Sequence, residues 1–188
     1  MKNLIVPHNP NWITEFVELT RIFYSVLNDF EVDIQHVGST AIPELFAKPI
    51  LDIDIIINDQ DQLEDISAQL ERLGYNSIGD LGIPGRFAFR QSSNLTPSTV
   101  SNRIWQEHHL YVCYSDCLAV KNHILFRDTL LSNVELVKEY SYLKKNLVNE
   151  NEMTRENYTR RKTEFIISVL KSKGFDEEEL IEIKNANK

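Results

Sequence analysis

The sequence predicts an α+β fold in which a mixed or antiparallel sheet is flanked by helices and followed by a helical C-terminal part. Apolar residues recur at steps of three or four in Asn11–Phe30 and in Asp59–Leu73, which is typical of helices that bury one face. Short segments rich in Val, Ile and Phe lie between and after these helices and indicate strands. From Cys117 onward only helical periodicity remains. Strands and helices are therefore segregated along the chain, as in α+β proteins.

The predicted strands are separated by residues that favour turns. Val32–Val37 alternates apolar and polar residues, as a half-buried strand does, and Ile50–Ile57 is apolar except for two Asp. Three further strands are expected at Tyr75–Ile78, Phe87–Gln91 and Arg103–Tyr114. The polar stretch from Gln91 to Asn102 predicts a surface loop.

Helices account for the rest of the chain. The apolar spacing predicts a helix at Leu118–Leu131, a second that begins near Asn133, and a third over about Thr154–Lys173. Asp176 followed by Glu179 resembles a capping box for a short last helix. We expect residues 1–116 to form the α/β core and residues 117–188 to form a helical subdomain packed on it, in one compact unit.

Composition and charge exclude several classes of protein. The formal net charge is −8, so we expect no long nucleic acid as a partner, because binding its backbone requires a basic surface. No run of ~18 apolar residues occurs and the N-terminus lacks a signal-peptide pattern, so we expect no membrane span and a cytoplasmic protein. The spacing of Cys113 and Cys117 fits neither a redox pair nor a zinc motif, which predicts free thiols.

Two acidic residues, Asp52 and Asp54, interrupt the otherwise apolar strand Ile50–Ile57. Residues two apart on a strand point to the same face, so these carboxylates lie side by side. Adjacent carboxylates repel each other and resist leaving water. A solvated sheet face, a paired Arg or Lys, or a divalent cation such as Mg²⁺ would each account for them.

A glycine and two hydroxyl residues follow the preceding strand. Gly38 allows close approach of the backbone to a ligand, and Ser39 and Thr40 offer hydroxyl and N–H groups where a short helix begins, which suits a phosphate. The order of strand, Gly-Ser, spacer, strand and Asp-x-Asp resembles the signature of the nucleotidyltransferase superfamily, which has a polymerase-β-like fold. In that superfamily the Gly-Ser segment holds nucleotide phosphate and the two acids hold metal.

The resemblance narrows to one family. The segment HVGSTAIPELFAKPILDIDIII, from His36 to Ile57, is similar to the core of the GrpB family, whose members resemble nucleotidyltransferases. Similarity also covers VPHNPNW, GIPGRFAF, HHLYV, HILFRDTLLSN, EYSYLKKNL and NYTRRKTEFI, and so nearly the whole chain. The resemblance implies that Gly38 and Ser39, with Thr40, bind nucleotide phosphates. It implies that Asp52 and Asp54 are catalytic residues that bind Mg²⁺.

A third catalytic group is expected from a neighbouring strand, as in superfamily enzymes. On the predicted strand Arg103–Tyr114, the residues Glu107, His109 and Tyr111 share one face by parity. Glu107 or His109 is the candidate catalytic residue, with His109 also a candidate metal ligand. His108 points to the other face and is expected to be a packed, hydrogen-bonded histidine. The family usually has His where Tyr111 stands, so this chain departs from the pattern there.

Nearby cations are the remaining candidates for binding a triphosphate. Lys48 precedes the strand that carries the two acids, Arg86 follows a Pro-Gly turn, and Arg90 lies on the predicted strand Phe87–Gln91. A solvated lysine is the alternative for Lys48, and an ion pair with one of the Asp residues is the alternative for Arg86. Lys162 shares a helical stripe with apolar residues and could project toward the cleft between the two parts of the chain. His36 is expected to orient the Gly-Ser loop by hydrogen bonding.

Three functions compete at this point. The first is a Mg²⁺-dependent nucleotidyltransferase that moves a nucleoside monophosphate from an NTP to a small-molecule or protein acceptor. The second is a non-catalytic module that binds nucleotides or another protein through a degenerate site. The third is a metal-dependent phosphohydrolase that uses the same acids. The base, the acceptor and the oligomeric state are left open by the sequence.

Overall fold

The computed structural model describes residues 5–186, except for the side chain of Arg155, and contains a five-stranded sheet in the order β1-β2-β5-β4-β3. The strands are β1 (Val32–Val37), β2 (Leu51–Ile57), β3 (Tyr75–Ser77), β4 (Arg86–Gln91) and β5 (His108–Tyr114). β2 and β5 run parallel, and the other three neighbouring pairs are antiparallel. The sheet is therefore mixed, and the predicted α+β class is confirmed.

Six α-helices accompany the sheet. They are α1 (Asn11–Val26), α2 (Leu63–Arg72), α3 (Leu118–Leu131), α4 (Val134–Asn149), α5 (Arg155–Ser172) and α6 (Glu177–Ala186). Side chains satisfy the free N–H groups at several helix starts, as at α4, where the Asn133 carboxamide oxygen accepts from the N–H groups of Glu135 and Leu136. The predicted capping box at α6 is present, since Asp176 and Glu179 bond each other's backbone N–H. None of the described helices is both long and apolar enough to cross a bilayer.

Two boundaries differ from the sequence expectations. β5 begins at His108 rather than Arg103, because Trp105 in the preceding segment is bonded to the 92–102 loop instead of a neighbouring strand. Trp105 donates its backbone N–H to the Asn94 carbonyl at 2.8 Å and its indole N–H to the Pro97 carbonyl at 2.9 Å. α1 ends at Val26, where the chain turns toward β1, although Phe30 still packs on the core and so extends the apolar periodicity.

Three apolar clusters hold the elements together, and the two larger ones position the site. The first fills the space between the sheet and helices α1 and α2, and it takes Leu51, Ile53 and Ile55 from one face of β2. Each fully buried side chain of this size contributes about 1.5–3 kcal/mol by leaving water. The second joins α3 to α6 and includes Ile42 and Leu45 from the segment after β1. Ile42 and Leu45 belong to the predicted core, residues 1–116, but they pack with the helices of the predicted C-terminal subdomain. The division of the chain into two parts at residue 117 therefore stays a prediction.

Candidate functional site

The turn after β1 lies directly against Asp52. β1 and β2 are antiparallel with Val37 opposite Asp52, which brings the next residue, Gly38, beside the carboxylate. Gly38 has φ 70° and ψ −169°, a conformation that is essentially restricted to glycine. A Cβ on Gly38 would lie 2.2 Å from Oδ2 of Asp52. The structure therefore joins the predicted Gly-Ser segment to the first acid with no hydrocarbon between them.

The hydroxyl residues of this turn have different surroundings. Ser39 lines a cavity beside Asp52, and its Oγ accepts a hydrogen bond from Nζ of Lys144 at 3.1 Å. Thr40 is buried, with its Oγ1 3.0 Å from Nε2 of His36, and it does not line that cavity. Burial lowers the pKa of His36 to about 4, so this imidazole is neutral near pH 7. His36 thus orients the turn by hydrogen bonding, as predicted, and Thr40 is held by that contact.

Asp52 is paired with a histidine of the neighbouring strand. The register of the parallel pair places Asp52 opposite His109, and Oδ1 of Asp52 lies 2.9 Å from Nδ1 of His109. This hydrogen bond raises the pKa of His109 above its ordinary value, with the nearby carboxylate charge adding to it against partial burial. The partner of Asp52 is therefore His109, a residue that the strand parity had placed on this face.

Asp54 is fully enclosed and is paired with a histidine from α3. Its residue exposure is 0%, and Oδ2 lies 2.7 Å from Nδ1 of His123. Burial acts to lower the pKa of His123, and the charge and hydrogen bond of Asp54 outweigh it, so the pKa is raised. The other carboxylate oxygen, Oδ1, is buried without a hydrogen-bond partner. Asp54 is thus neither solvated nor paired with Arg or Lys. Two of the three explanations considered from the sequence, a solvated sheet face and a paired Arg or Lys, therefore do not apply to it.

A cavity of about 250 Å³ opens beside Asp52, and we refer to it as the Asp52 cavity. One side is formed by Gly38, Ser39 and Asp52, and cationic groups reach it from Arg86 and Lys162. Further lining comes from α3, α4 and α6, through His123, Phe126, Tyr140, Glu182 and Ile183. The structure thus places basic groups opposite an acid and a glycine-serine turn.

The two cavity cations are held in different ways. The Arg86 guanidinium lies 4.5 Å above the centre of the Tyr111 ring, and its Nε is buried without a hydrogen-bond partner. Arg86 therefore makes no ion pair with either Asp, in contrast to the alternative considered from the sequence. Burial lowers the pKa of Lys162, although the charge of Asp52 opposes this shift. Lys162 projects into the cleft between the sheet and the helices, as its helical stripe indicated.

Several predicted site residues lie outside the Asp52 cavity. Glu107 is exposed, precedes β5 by one residue, and lines a second cavity that it shares with His109 and Tyr111. Lys48 has its Nζ 5.6 Å from the centre of the Tyr158 ring and does not line the Asp52 cavity. His108 is buried on the opposite face, with Nε2 2.5 Å from the Tyr75 hydroxyl, and is the packed histidine that parity predicted.

Sequence reasoning missed two residues that support the site. His123 and Lys144 lie on α3 and α4, and they contact Asp54 and Ser39 across 69 and 105 residues of sequence. Lys144 is 2% exposed, and burial, with a smaller effect of nearby Lys162, lowers its pKa well below the ordinary value. Both belong to segments similar to the GrpB family, but nothing in their spacing indicated which face of each helix meets the sheet.

The carboxylates of Asp52 and Asp54 are the groups of this site that suit Mg²⁺. Within residues 5–186, no three or more His, Cys, Asp or Glu side chains converge as a ready-made metal site, so His109 does not join Asp52 and Asp54 in such a group. The two carboxylates fit the ion's preference for hard oxygen ligands, and Mg²⁺ commonly uses one or two carboxylates with phosphate oxygens completing the shell. The unpartnered Oδ1 of Asp54 is a buried acceptor of this type.

A mixed sheet in which a glycine-serine turn meets an Asp-x-Asp strand defines a fold of the nucleotidyltransferase type, and solved structures agree with it. The conserved protein GrpB from Enterococcus faecalis has a TM-score of 0.72 at 24% identity, covering 90% of this chain and 98% of that one. The Cid1 poly(U) polymerase, in a crystal structure with MgGTP bound, has a TM-score of 0.56 at 13% identity, covering 82% of this chain and 47% of that one. At these identities the likeness shows the fold.

The chain belongs to the GrpB family, because the family described as GrpB protein matches residues 3–172. UPF0157 protein YqkA of Bacillus subtilis is 30% identical over 162 residues, covering 86% of this chain and 44% of that protein. Glutamate-rich protein GrpB of Alkalihalophilus pseudofirmus is 30% identical over 168 residues, covering 89% and 93%. The chain thus spans less than half of the first relative and nearly all of the second, and neither name states a reaction. The family predicted from the sequence is confirmed.

Proposed function

We propose that this protein is a Mg²⁺-dependent nucleotidyltransferase that moves a nucleoside monophosphate from an NTP to a hydroxyl group of an acceptor. The observation that carries the proposal is the contact of Gly38 with Asp52 at the edge of a cavity that Arg86 and Lys162 also line. Because glycine lacks a side chain, phosphate oxygens can approach the backbone beside the acid. The cavity therefore offers both positive groups and a metal-binding carboxylate to one triphosphate.

Charge distribution supports a polyanionic ligand. The chain carries a formal net charge of −8, yet Lys144 donates to Ser39, and the Lys162 amine and the Arg86 guanidinium line the same cavity as Ser39. Lys144 has no carboxylate partner within the described residues and donates to Ser39 instead. A phosphate bound at this turn would accept hydrogen bonds from these groups.

Asp52 and Asp54 would hold Mg²⁺, which when bound neutralises charge that develops on the phosphates. In the transfer step, an acceptor oxygen forms a bond to the α-phosphorus, the α–β phosphoanhydride bond breaks, and pyrophosphate leaves with the bonding electrons. The acceptor's hydroxyl proton passes to Glu107, His109 or water. Asp52 and His109 orient each other through their 2.9 Å contact, which fixes the acid relative to the acceptor side.

Thermal unfolding with nucleotides tests the proposal. Each NTP is added to the wild type and to Asp52→Asn, with and without Mg²⁺. At a ligand concentration of about 100 Kd, binding adds about 2.7 kcal/mol of stability, which for about 190 residues raises the Tm by about 5–10 °C. We expect this rise with at least one NTP plus Mg²⁺, and we expect Asp52→Asn to lose most of it.

A control variant separates the site from general charge effects. Asp29→Asn removes an exposed carboxylate between α1 and β1, so its response to nucleotides should equal that of the wild type. The proposal is wrong if no NTP raises the Tm of the wild type. It is also wrong if Asp52→Asn and Asp29→Asn respond alike.

A non-catalytic nucleotide-binding module is the second candidate, and one observation favours it. Asp54 is enclosed and bonded to His123, and only Asp52 of the two acids lines the cavity. Under this alternative, MgNTP raises the Tm of the wild type, but no pyrophosphate is released with any small-molecule or protein acceptor. Release of pyrophosphate that depends on an acceptor and on Asp52 would exclude it.

A further inference from the structure

A second cavity of about 670 Å³ is lined by His109, the partner of Asp52, and we refer to it as the Arg90 cavity. It is formed by β4, β5 and parts of the 78–81 and 93–107 segments. Its volume falls within the ~300–1000 Å³ that small-molecule sites occupy. Tyr111 lines both this cavity and the Asp52 cavity, so the two lie next to each other.

The strand order places the Gly38 turn and Arg90 on opposite sides of Asp52. β1 ends at the Gly38 turn, β2 carries Asp52, and β5 carries His109 opposite Asp52. On β4, Phe89 pairs with Leu110 in an antiparallel ladder, so the next residue, Arg90, comes level with His109. A line across the sheet therefore runs from the glycine turn through the acid and the histidine to an arginine.

The Arg90 cavity has a mixed lining. An apolar floor is provided by Ile78, Leu81, Ala88, Phe89 and Trp105, and the polar groups include Arg90, Asn94, Glu107 and His109. Among the described residues Arg90 makes no ion pair, although its guanidinium can bind a carboxylate or phosphate through two parallel hydrogen bonds. A small amphipathic ligand with an oxyanion matches this set of groups.

We propose that the Arg90 cavity binds the acceptor, and that the acceptor is a small molecule carrying both a hydroxyl group and an oxyanion, with the oxyanion bound by Arg90. This inference rests on the proposed transferase function. In-line displacement at the α-phosphorus requires the attacking oxygen and the leaving pyrophosphate on opposite sides. With the triphosphate at the Gly38 and Ser39 turn, on the β1 side of Asp52, the attacking oxygen approaches from the β5 side, where His109 lines this cavity.

Glu107 gives the acceptor a direction in the cavity. Its carboxylate repels an anionic group and accepts a hydrogen bond from a hydroxyl. The oxyanion is therefore directed to Arg90 on β4, and the hydroxyl is directed toward the edge of β5 that carries Glu107 and His109. This assigns the predicted catalytic residue Glu107 to the acceptor side of the site.

Nuclear magnetic resonance of the indole N–H groups tests the proposal on the whole chain. The protein has two Trp. Trp105 lines the Arg90 cavity, and Trp12, on α1, is buried in the first apolar cluster and does not line this cavity. The probes are glycerol 3-phosphate, glycerate and uncharged glycerol. We expect one or both anions to shift the Trp105 resonance with little effect on Trp12, and glycerol to shift neither. The two anions distinguish a phosphate from a carboxylate as the oxyanion.

Two arginine variants complete the experiment. Arg90→Gln should weaken binding of the anion at least tenfold, whereas Arg72→Gln, which removes an exposed arginine on α2, should leave it unchanged. No response of Trp105 to either anion, or equal affinity in Arg90→Gln and the wild type, overturns the inference while leaving the nucleotide-binding test untouched. A Trp105 response in a protein whose Tm no NTP raises overturns the assignment of the cavity to an acceptor.

Discussion

Replacement of Gly38 by Ala tests whether the contact with Asp52 dictates glycine at this turn. The new Cβ would lie 2.2 Å from Oδ2, 2.9 Å from Cγ and 3.0 Å from Cβ of Asp52, all shorter than the ~3.5 Å of a favourable contact. Backbone strain at φ 70° and ψ −169° costs about 1–3 kcal/mol for a residue with a Cβ. Displacing the carboxylate adds about 1–3 kcal/mol, as for other overpacked sites. We expect Gly38→Ala to lower the free energy of unfolding by about 2–6 kcal/mol.

A double-mutant cycle separates the two contributions. Asp52→Ala removes Oδ2 and Cγ, so in that background Gly38→Ala should cost little more than the backbone strain of about 1–3 kcal/mol. The coupling free energy between the two sites should then be about 1–3 kcal/mol, measured by urea unfolding of the four proteins.

Gly79 provides the matched control for this cycle. It also has a positive φ, 77°, but no heavy atom lies within 4 Å of the Cβ that alanine would add. Gly79→Ala should therefore cost only its own backbone strain, and by the same amount with or without Asp52. If the costs of Gly38→Ala and Asp52→Ala add within about 0.5 kcal/mol, the carboxylate is not what requires the glycine, and the reasoning fails.

Two further predictions concern buried titratable groups. Lys144→Met should raise the free energy of unfolding by about 1–3 kcal/mol at pH 7, because it removes a buried amine with a single hydrogen bond, and it should weaken MgNTP binding in the thermal assay. Lys138→Met, which removes an exposed lysine on α4, should do neither. Burial lowers the pKa of His108 to about 4 from 6.5 in the unfolded chain, so protonation of the unfolded state lowers stability as the pH falls from 6.5 to 4, by about 3 kcal/mol in all. Urea unfolding between pH 4 and pH 7 should show that this part of the slope is absent in His108→Gln; an unchanged slope would contradict the prediction.

Local sequence patterns predicted the elements whose hydrogen bonds and packing are also local. The strand expected at Ile50–Ile57 is β2 (Leu51–Ile57), because alternation and turn residues define it within its own length. The stretch 103–107 reads as strand by composition, but Trp105 ties it to the adjacent loop, and only the tertiary structure decides between the two partners. The parallel pairing of β2 with β5 joins residues 57 positions apart in sequence and leaves no local signal.

The residues of the candidate site also separate into those that the sequence predicted and those that only the tertiary structure shows. Gly38 and Asp52 were placed in one site by the resemblance to nucleotidyltransferases, and the antiparallel register of β1 and β2 brings them side by side. His123 and Lys144 could not, because helical periodicity identifies a buried face without identifying what that face touches. His109 was predicted in part. The alternation of side chains along the strand predicted which sheet face it occupies, but only the pairing of β2 with β5 in the structure identified Asp52 as its partner.

The last helix, α6, lies beyond residues 3–172 that match the family, yet Glu182, Ile183 and Ala186 form one wall of the Asp52 cavity. A chain shortened at residue 172 would keep every charged side chain assigned here to phosphate and metal while losing that wall. The helix therefore contributes both contact surface and one carboxylate, Glu182, to the cavity, and its loss would change the space open to a ligand together with the local charge. Exchange of this one terminal segment between relatives would change which molecules fit the Asp52 cavity and would leave the reactive groups unchanged.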